Sequence, residues 1–351
     1  MAQLGHGNFQ TSNPILIMIL LLGATGYIGR AFTAELRKRG TPFTPLTRRA
    51  VDYARFETLF DYIHKLKPEF VINAAGYPGH PNIEDCEKAR AEAVQANTLL
   101  PQTLARVCFL TKTPWGHVSS GCIYSGARIA HNQELKIERD LNQPELRRLF
   151  DLQPEKFRGF TEADEPNCSF RAPPCSFYGG TKALAEEALR WFDQCYLWRP
   201  QIVFDEFDHP RNYLSKLQQY PKVLDGINSF THRTDFVRAC LQLWERRAAF
   251  GAYNIVNPGA ATARQIVAAV QRILRSGQNF EFWENPEEFL QQTGKAQRNN
   301  SILDPTKLLS TGIKMRSLRE ALEDSLKKWQ PSPQDEAWLG NGQNIPAQKK
   351  S

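Results

Sequence analysis

The chain has 351 residues, with 44 Lys and Arg against 37 Asp and Glu, for a net charge of +7. Hydrophobic residues make up 41% and charged ones 23%, which suits a globular protein with a real core and excludes a disordered or fibrous chain. The basic residues are scattered, with no Arg-rich arm, so the surplus points to small anionic ligands and away from nucleic acid.

Residues 1–14 read as a disordered polar tail. The apolar run Ile15 to Leu22 follows and stops at Gly23; Gly26 and Gly29 come at three-residue steps, and then a helix-like segment begins. That is strand, tight turn, helix. Glycines there let the backbone turn sharply and a pyrophosphate approach, while the helix N-terminus supplies N–H donors. Gly23, Thr25, Gly26, Tyr27, Ile28 and Gly29 are therefore candidate dinucleotide-binding residues. The apolar run is too short to span a bilayer and lacks the flanks of a signal peptide. Seven cysteines without a CxxC pair argue against a disulfide framework or a metal site. A cytoplasmic protein with reduced thiols and no membrane partner is the expectation.

PFTPLTRR reads as a second strand ending at Arg48 and Arg49. A carboxylate at that place favours NAD, whereas arginines accept the 2′-phosphate of NADP; NADPH is expected, with NADH the alternative. FETLFDYIHKL is an amphipathic helix with Phe56, Leu59, Phe60, Ile63 and Leu66 on one stripe. EFVINAAG is a third strand, and the small residues of Asn73, Ala74, Ala75 and Gly76 let a cofactor lie against the backbone. A long helical stretch from Cys86 to Leu110 is restarted or kinked by Pro101. WGHVSSGCIYSG is a buried strand entering a loop, TKALAEEALRWF a helix, and CYLWRPQIVF another strand. This alternation predicts an α/β fold, a Rossmann-like, doubly wound parallel sheet.

Two segments interrupt the rhythm. Residues 126–175 are long, polar and Pro-containing, and are expected to overhang a site or to be partly mobile. After Phe204 the pattern loosens. The dinucleotide domain is placed at 15–204, with a helix and strand returned by 231–257. A smaller C-terminal substrate-binding region takes 205–230 and 258–330, and 331–351 reads as a flexible tail.

Tyr178 and Lys182 form a Tyr-x-x-x-Lys pair, one helical turn apart and on one face. An ammonium beside a phenol lowers the phenol's pKa, so that it exchanges a proton near neutral pH. Ser120, on the preceding serine-bearing strand, is the third member and would hydrogen-bond a substrate oxygen.

GATGYIG, NAAG, SSGCIY, YGGTK and the pair Arg199-Pro200 occur in the order of the extended short-chain dehydrogenase/reductases. The chain resembles most closely the branch that acts on nucleotide-activated 4-keto-6-deoxyhexoses. That branch includes dTDP-4-dehydrorhamnose reductase and the plant and viral UDP-4-keto-6-deoxyglucose 3,5-epimerase/4-reductases of rhamnose biosynthesis. VINAAGYPGHPNIEDCE, GFTEADEPN, FYGGTKALAEE, HPRNYLSKLQQYPKVL and QRNNSILDPTKL look like blocks of the second group. The resemblance implies that Ser120, Tyr178 and Lys182 are the catalytic triad. It implies Cys122 and Lys216 as the acid and base of epimerisation; Cys122 also sits where GDP-fucose synthase carries its epimerase cysteine. Asn82, Arg211, Asn212, Arg298 and Asn299 fall in blocks that line the sugar-nucleotide pocket, with local structural hydrogen bonds as their other reading. The superfamily often dimerises through helices of its main domain, which would fit a homodimer.

The implied activity is NADPH-dependent reduction of the C4 ketone of a nucleotide sugar after 3,5-epimerisation, giving an L-rhamnose-type product. The chemistry is coherent by itself. A C4 ketone acidifies the hydrogens on C3 and C5, and Ser120 and Tyr178 can hold the enolate oxygen. Cys122 needs activation, since a free thiol has a pKa of about 8.5. Three other readings compete: a reductase alone, a 4,6-dehydratase and a non-enzymatic cofactor sensor. The dehydratase needs an Asp-Glu pair where Gly121 and Cys122 stand, and the sensor usually lacks the Tyr and Lys. The chain departs from the plant and viral pattern by an insertion from Gly126 to about Arg158, which leaves the nucleotide (UDP, dTDP or GDP) open.

Overall fold

The computed structural model describes residues 18–331, apart from 81, 132, 133, 284, 285 and 295. The tail expected at 1–14, and all but the first residue of that expected at 331–351, lie outside the described residues. Six parallel strands form the central sheet: β1 (Ile19–Leu22), β2 (Phe43–Leu46), β3 (Phe70–Asn73), β4 (Trp115–Val118), β5 (Cys195–Arg199) and β6 (Gly251–Asn254). Their order is β2-β1-β3-β4-β5-β6.

All of β1, β3 and β5 is buried, as expected of parallel strands covered on both faces. The period of two splits their side chains between two cores. Ile19, Leu21, Phe70, Ile72, Tyr196 and Trp198 face one cluster, with helices Tyr27–Lys38 and Arg233–Glu245. Leu20, Leu22, Val71, Cys195 and Leu197 face the other, with helices Phe56–Leu66 and Leu100–Thr111. The result is a three-layered, doubly wound α/β sheet.

Several sequence expectations are modified. CYLWRPQIVF is not one strand: β5 ends at Arg199, Ile202 has φ +31°, and Val203–Phe204 pairs with Thr231–His232 in a separate sheet. Pro200 cannot donate to a ladder, so the strand breaks there. The stretch from Cys86 to Leu110 is a succession of a 3-10 turn (Ile83–Glu87), a short α-helix (Arg90–Val94), a π-turn (Gln95–Leu99) and helix Leu100–Thr111. Pro101 lies in the first turn of the last helix, where its missing N–H costs least.

Phe204, Leu214, Phe230, Ile266, Val270 and Leu322 belong to a further core, built on helices Tyr213–Gln219, Ala263–Leu274 and Leu318–Lys327. Residues 126–158 are a folded lobe rather than a loose overhang. Ala127–His131 pairs antiparallel with Glu134–Glu138 and with Phe157–Arg158. Ile129, Leu141, Phe150 and Phe157 pack there against Ile227 and Ile302. Among the described residues no helix is long and apolar enough to cross a membrane.

Candidate active site

The strand order reverses direction between β1 and β3, and a ligand crevice forms at the carboxyl ends of strands flanking such a point. Gly23 ends β1 with φ +75°, and a Cβ there would lie 2.4 Å from the Ala75 nitrogen. A Cβ on Gly29 would lie 1.9 Å from the Gly23 carbonyl oxygen. The Gly26 N–H closes the turn on Gly23 O at 2.9 Å. Gly26 caps helix Tyr27–Lys38 with no side-chain cap and no acid in the first turn, leaving its N–H donors and positive dipole end to an anion. This cradle fits a dinucleotide pyrophosphate. Thr25 is exposed, and Ile28 packs on the core below. Arg48 and Arg49 are exposed just past β2.

Tyr27 does less at the cradle than the sequence suggests. Its ring stacks on His209 (centroids 4.9 Å apart, 19° between planes) and is covered by the Arg233 guanidinium at 4.2 Å. Its hydroxyl bears on the buried Asp205 carboxyl, helping to offset the upward push of burial on that group. The side chain thus joins helix Tyr27–Lys38 to the smaller region. Asn73 is fully buried; its Oδ1 accepts the Ala75 N–H at 3.1 Å and its amide nitrogen meets His117 Nδ1 at 3.1 Å. It shapes the Ala74–Gly76 turn.

β4 runs through Ser119 into a 3-10 turn, Gly121–Ile123, capped by the Ser120 hydroxyl, which accepts the Cys122 N–H at 3.2 Å. Helix Phe177–Leu189 carries Tyr178 and Lys182, and Ser176 caps it from Gly179 N–H at 3.0 Å. The two elements meet: Ser120 bears on the Tyr178 phenol, partly countering the effect of its burial, and Lys182 Nζ donates to Val118 O at 3.0 Å. Lys182 is 3% exposed, and burial pushes its pKa down to about 8. Burial pushes the Tyr178 phenol up instead of down, so the expected lowering by Lys182 is not what this environment imposes. At neutral pH Tyr178 is held as a phenol, the form of a proton donor. Cys122 is half-buried beside it, and burial raises its thiol to about 12.

Several supports escape sequence reasoning. Glu186, one turn beyond Lys182, takes a forked pair from Arg199 at 3.0 and 2.5 Å and a hydrogen bond from Ser119. Arg199 also donates to the Tyr124 hydroxyl at 3.0 Å. Asn97 accepts Tyr77 N–H at 2.8 Å and donates to Thr181 at 3.2 Å, and Glu87 accepts the Phe177 N–H at 2.7 Å. These tie helix Phe177–Leu189 to the ends of β3, β4 and β5. Asn97 and Arg199 are polar residues inside otherwise apolar stretches, which was the available signal; Glu87 and Glu186 carried none.

On the other wall, Lys216 lies on helix Tyr213–Gln219, and its pKa is lowered to about 8 by burial and by Arg211 and Arg298. Arg211 donates to Gly79 O at 2.8 Å and bears electrostatically on Tyr178, so the cation cluster adjoins the triad. Arg298 pairs with Glu84 at 3.1 Å. Asn299 Nδ2 donates to Cys122 O at 2.5 Å and to Cys168 Sγ at 2.8 Å. Asn82 and Asn212 take the structural alternative in this structure. Each caps a helical turn, accepting Glu84 N–H at 2.9 Å and Leu214 N–H at 3.0 Å. Asn212 is fully buried, and its amide donates to Asp205 and Phe207. Among the described residues no group of His, Cys, Asp and Glu is arranged to hold a metal ion.

Residues 17–330 match the RmlD substrate binding domain. The trifunctional UDP-glucose 4,6-dehydratase/UDP-4-keto-6-deoxy-D-glucose 3,5-epimerase/UDP-4-keto-L-rhamnose-reductase of Arabidopsis thaliana is 28% identical over 90% of this chain, which spans only 42% of that protein. The bifunctional dTDP-4-dehydrorhamnose 3,5-epimerase/dTDP-4-dehydrorhamnose reductase of the same plant is 28% identical over 86% of this chain and 90% of its own length. Among solved structures, a UDP-rhamnose synthase of Acanthamoeba polyphaga mimivirus superposes with a TM-score of 0.75 at 21% identity, covering 89% of this chain and 99% of its own. The dTDP-4-dehydrorhamnose reductase of Bacillus anthracis, in complex with NADP, gives 0.68 at 17%, covering 89% and 98%. These superpositions establish a shared fold. With the family match running through both the glycine cradle and the cation wall, the chain belongs to the RmlD substrate-binding-domain family.

Proposed function

We propose that this protein reduces the C4 ketone of a nucleotide-activated 4-keto-6-deoxyhexose with NADPH, after epimerising C3 and C5. The observation that carries the reading is the meeting of Ser120, Tyr178 and Lys182 at the glycine cradle, opposite the cations Arg211, Lys216 and Arg298. The first set suits a carbonyl and a dinucleotide, the second an anionic sugar nucleotide. The relatives named for epimerase and reductase activities support the substrate class.

The cradle of Gly23, Gly26 and Gly29 would hold the pyrophosphate, and Arg48 with Arg49 the 2′-phosphate. Bound NADPH supplies the hydride. Ser120 and Tyr178 donate hydrogen bonds to the C4 oxygen and stabilise the enolate as C3 or C5 loses its proton. Lys216, with a pKa near 8, has a neutral fraction able to take that proton. Cys122, held as a thiol, returns one from the other face. Tyr178 then protonates the C4 oxygen as the carbonyl is reduced. Lys182, fixed on Val118 O, places a cation beside the phenol to hold the proton balance.

Loss of NADPH absorbance on mixing with UDP-4-keto-6-deoxyglucose, and in parallel with its dTDP form, tests the reading. Turnover should fall at least about 100-fold in Tyr178→Phe, the cost of removing a general acid. No NADPH oxidation by the wild-type chain with either sugar would refute it.

A further inference from the structure

Gly294 and residues 296–300 form no helix or strand, yet they cross between the two walls of the site. At the far end Asn299 grips the Cys122 carbonyl at 2.5 Å, and Asn300 O accepts the Gly126 N–H at 2.6 Å. At the near end the strap meets Glu84, from the 3-10 turn Ile83–Glu87 that follows β3. Glu84 Oε2 accepts the Ala296 N–H at 3.0 Å and Oε1 accepts from Arg298 Nη2 at 3.1 Å. Gly294, at φ +149°, makes room for the carboxylate: a Cβ there would lie 2.3 Å from Glu84 Oε2. One side chain of the cofactor half therefore fixes both the backbone and the guanidinium of a segment that otherwise lacks regular pairing.

We propose that Glu84 is a positioning residue, a latch that holds Gly294 and residues 296–298 on the cofactor half and thereby presents Arg298 to the diphosphate of the sugar nucleotide. The inference rests on the nucleotide-sugar reading above. A carboxylate bridging a backbone N–H and an arginine makes two charge-assisted hydrogen bonds, stronger and more directional than neutral ones. It also leaves Arg298 with further N–H donors for an incoming anion. Glu84 does not line the glycine cradle, so its role is separable from cofactor binding.

The test uses Glu84→Gln, Glu84→Asp and Gly294→Ala in the full chain. Two readouts are followed: hydrogen exchange at the Ala296 amide, and the affinity for UDP by calorimetry with NADPH bound. In Glu84→Gln the Ala296 amide should exchange about tenfold faster and UDP should bind about tenfold more weakly, the loss of roughly one charge-assisted bond. NADPH affinity should stay within about twofold, and Glu84→Asp should recover part of both effects. Gly294→Ala keeps the charge but presses a methyl on the carboxylate, and should reproduce both losses if Glu84→Gln does not fold. Unchanged Ala296 exchange, or unchanged UDP affinity with faster exchange, would overturn the latch. If the wild-type protein binds neither UDP nor dTDP, the substrate reading fails, and the Ala296 exchange still decides whether Glu84 secures the strap.

Discussion

Lys216 and Cys122 stand in surroundings that drive their acidities in opposite directions. Burial and two neighbouring guanidinium groups disfavour the ammonium, bringing it to about 8, while burial disfavours the thiolate and raises the thiol to about 12. On the proposed reading this makes the lysine the base and the cysteine the acid. The sign of the pH dependence follows. Lys216 works as the neutral amine, which becomes more abundant as pH rises toward its pKa. Deuterium exchange into C3 or C5 should climb about tenfold per pH unit below pH 8 and level off above it. An exchange rate flat across that range would remove Lys216 from the role. Cys122→Ser should slow exchange by about 100-fold or more, while reduction of a sugar already epimerised stays within a few-fold. If exchange survives the substitution unchanged, Cys122 is a packing residue.

At the scale of the element, helix Phe177–Leu189 is held by a buried ion pair. Glu186 and Arg199 are 7% and 5% exposed, and removing one partner leaves an uncompensated charge in the core. Glu186→Ala should destabilise the fold by about 3–5 kcal/mol, seen as a lowered denaturation midpoint. A loss below about 1 kcal/mol would mean that the pair is replaced by water. Nothing in TKALAEEALRWF announces this. Glu186 reads as a solvated residue on a helix face until the fold brings Arg199 from β5 beneath it. The elements themselves were more legible. FETLFDYIHKL forms the helix Phe56–Leu66, because its apolar stripe matches the helical period. The glycine turn and the Tyr178–Lys182 pair could be read in order because their spacing is local, whereas Ser120 is brought to that helix only by the fold. Asn82 and Asn212 each stand just before a helical turn and cap it, the structural alternative that an Asn at that place signals. The lobe at 126–158 was illegible because its core residues meet partners as distant as Ile227 and Ile302.

Across the whole molecule, the proposed reading has the two halves share one site. β1 and β3 bring the glycine cradle and the strand-end turns; the smaller region brings Lys216, Arg211 and Arg298. Tyr27 links them, its ring between His209 and Arg233. On the proposed reading cofactor preference belongs to this scale, since Arg48 and Arg49 are exposed just beyond β2. Replacing both by Ala should weaken NADPH binding about tenfold or more and leave NADH binding within a few-fold. Equal losses for the two cofactors would mean that the pair contributes only general positive charge.

The most direct test of the account is the product formed in deuterated water. Purified protein is mixed with NADPH and UDP-4-keto-6-deoxyglucose, and the sugar is examined by NMR. The account predicts a reduced sugar of L-rhamno configuration with deuterium at both C3 and C5. Reduction without deuterium at either carbon would contradict it, leaving a reductase in which Cys122 and Lys216 move no proton.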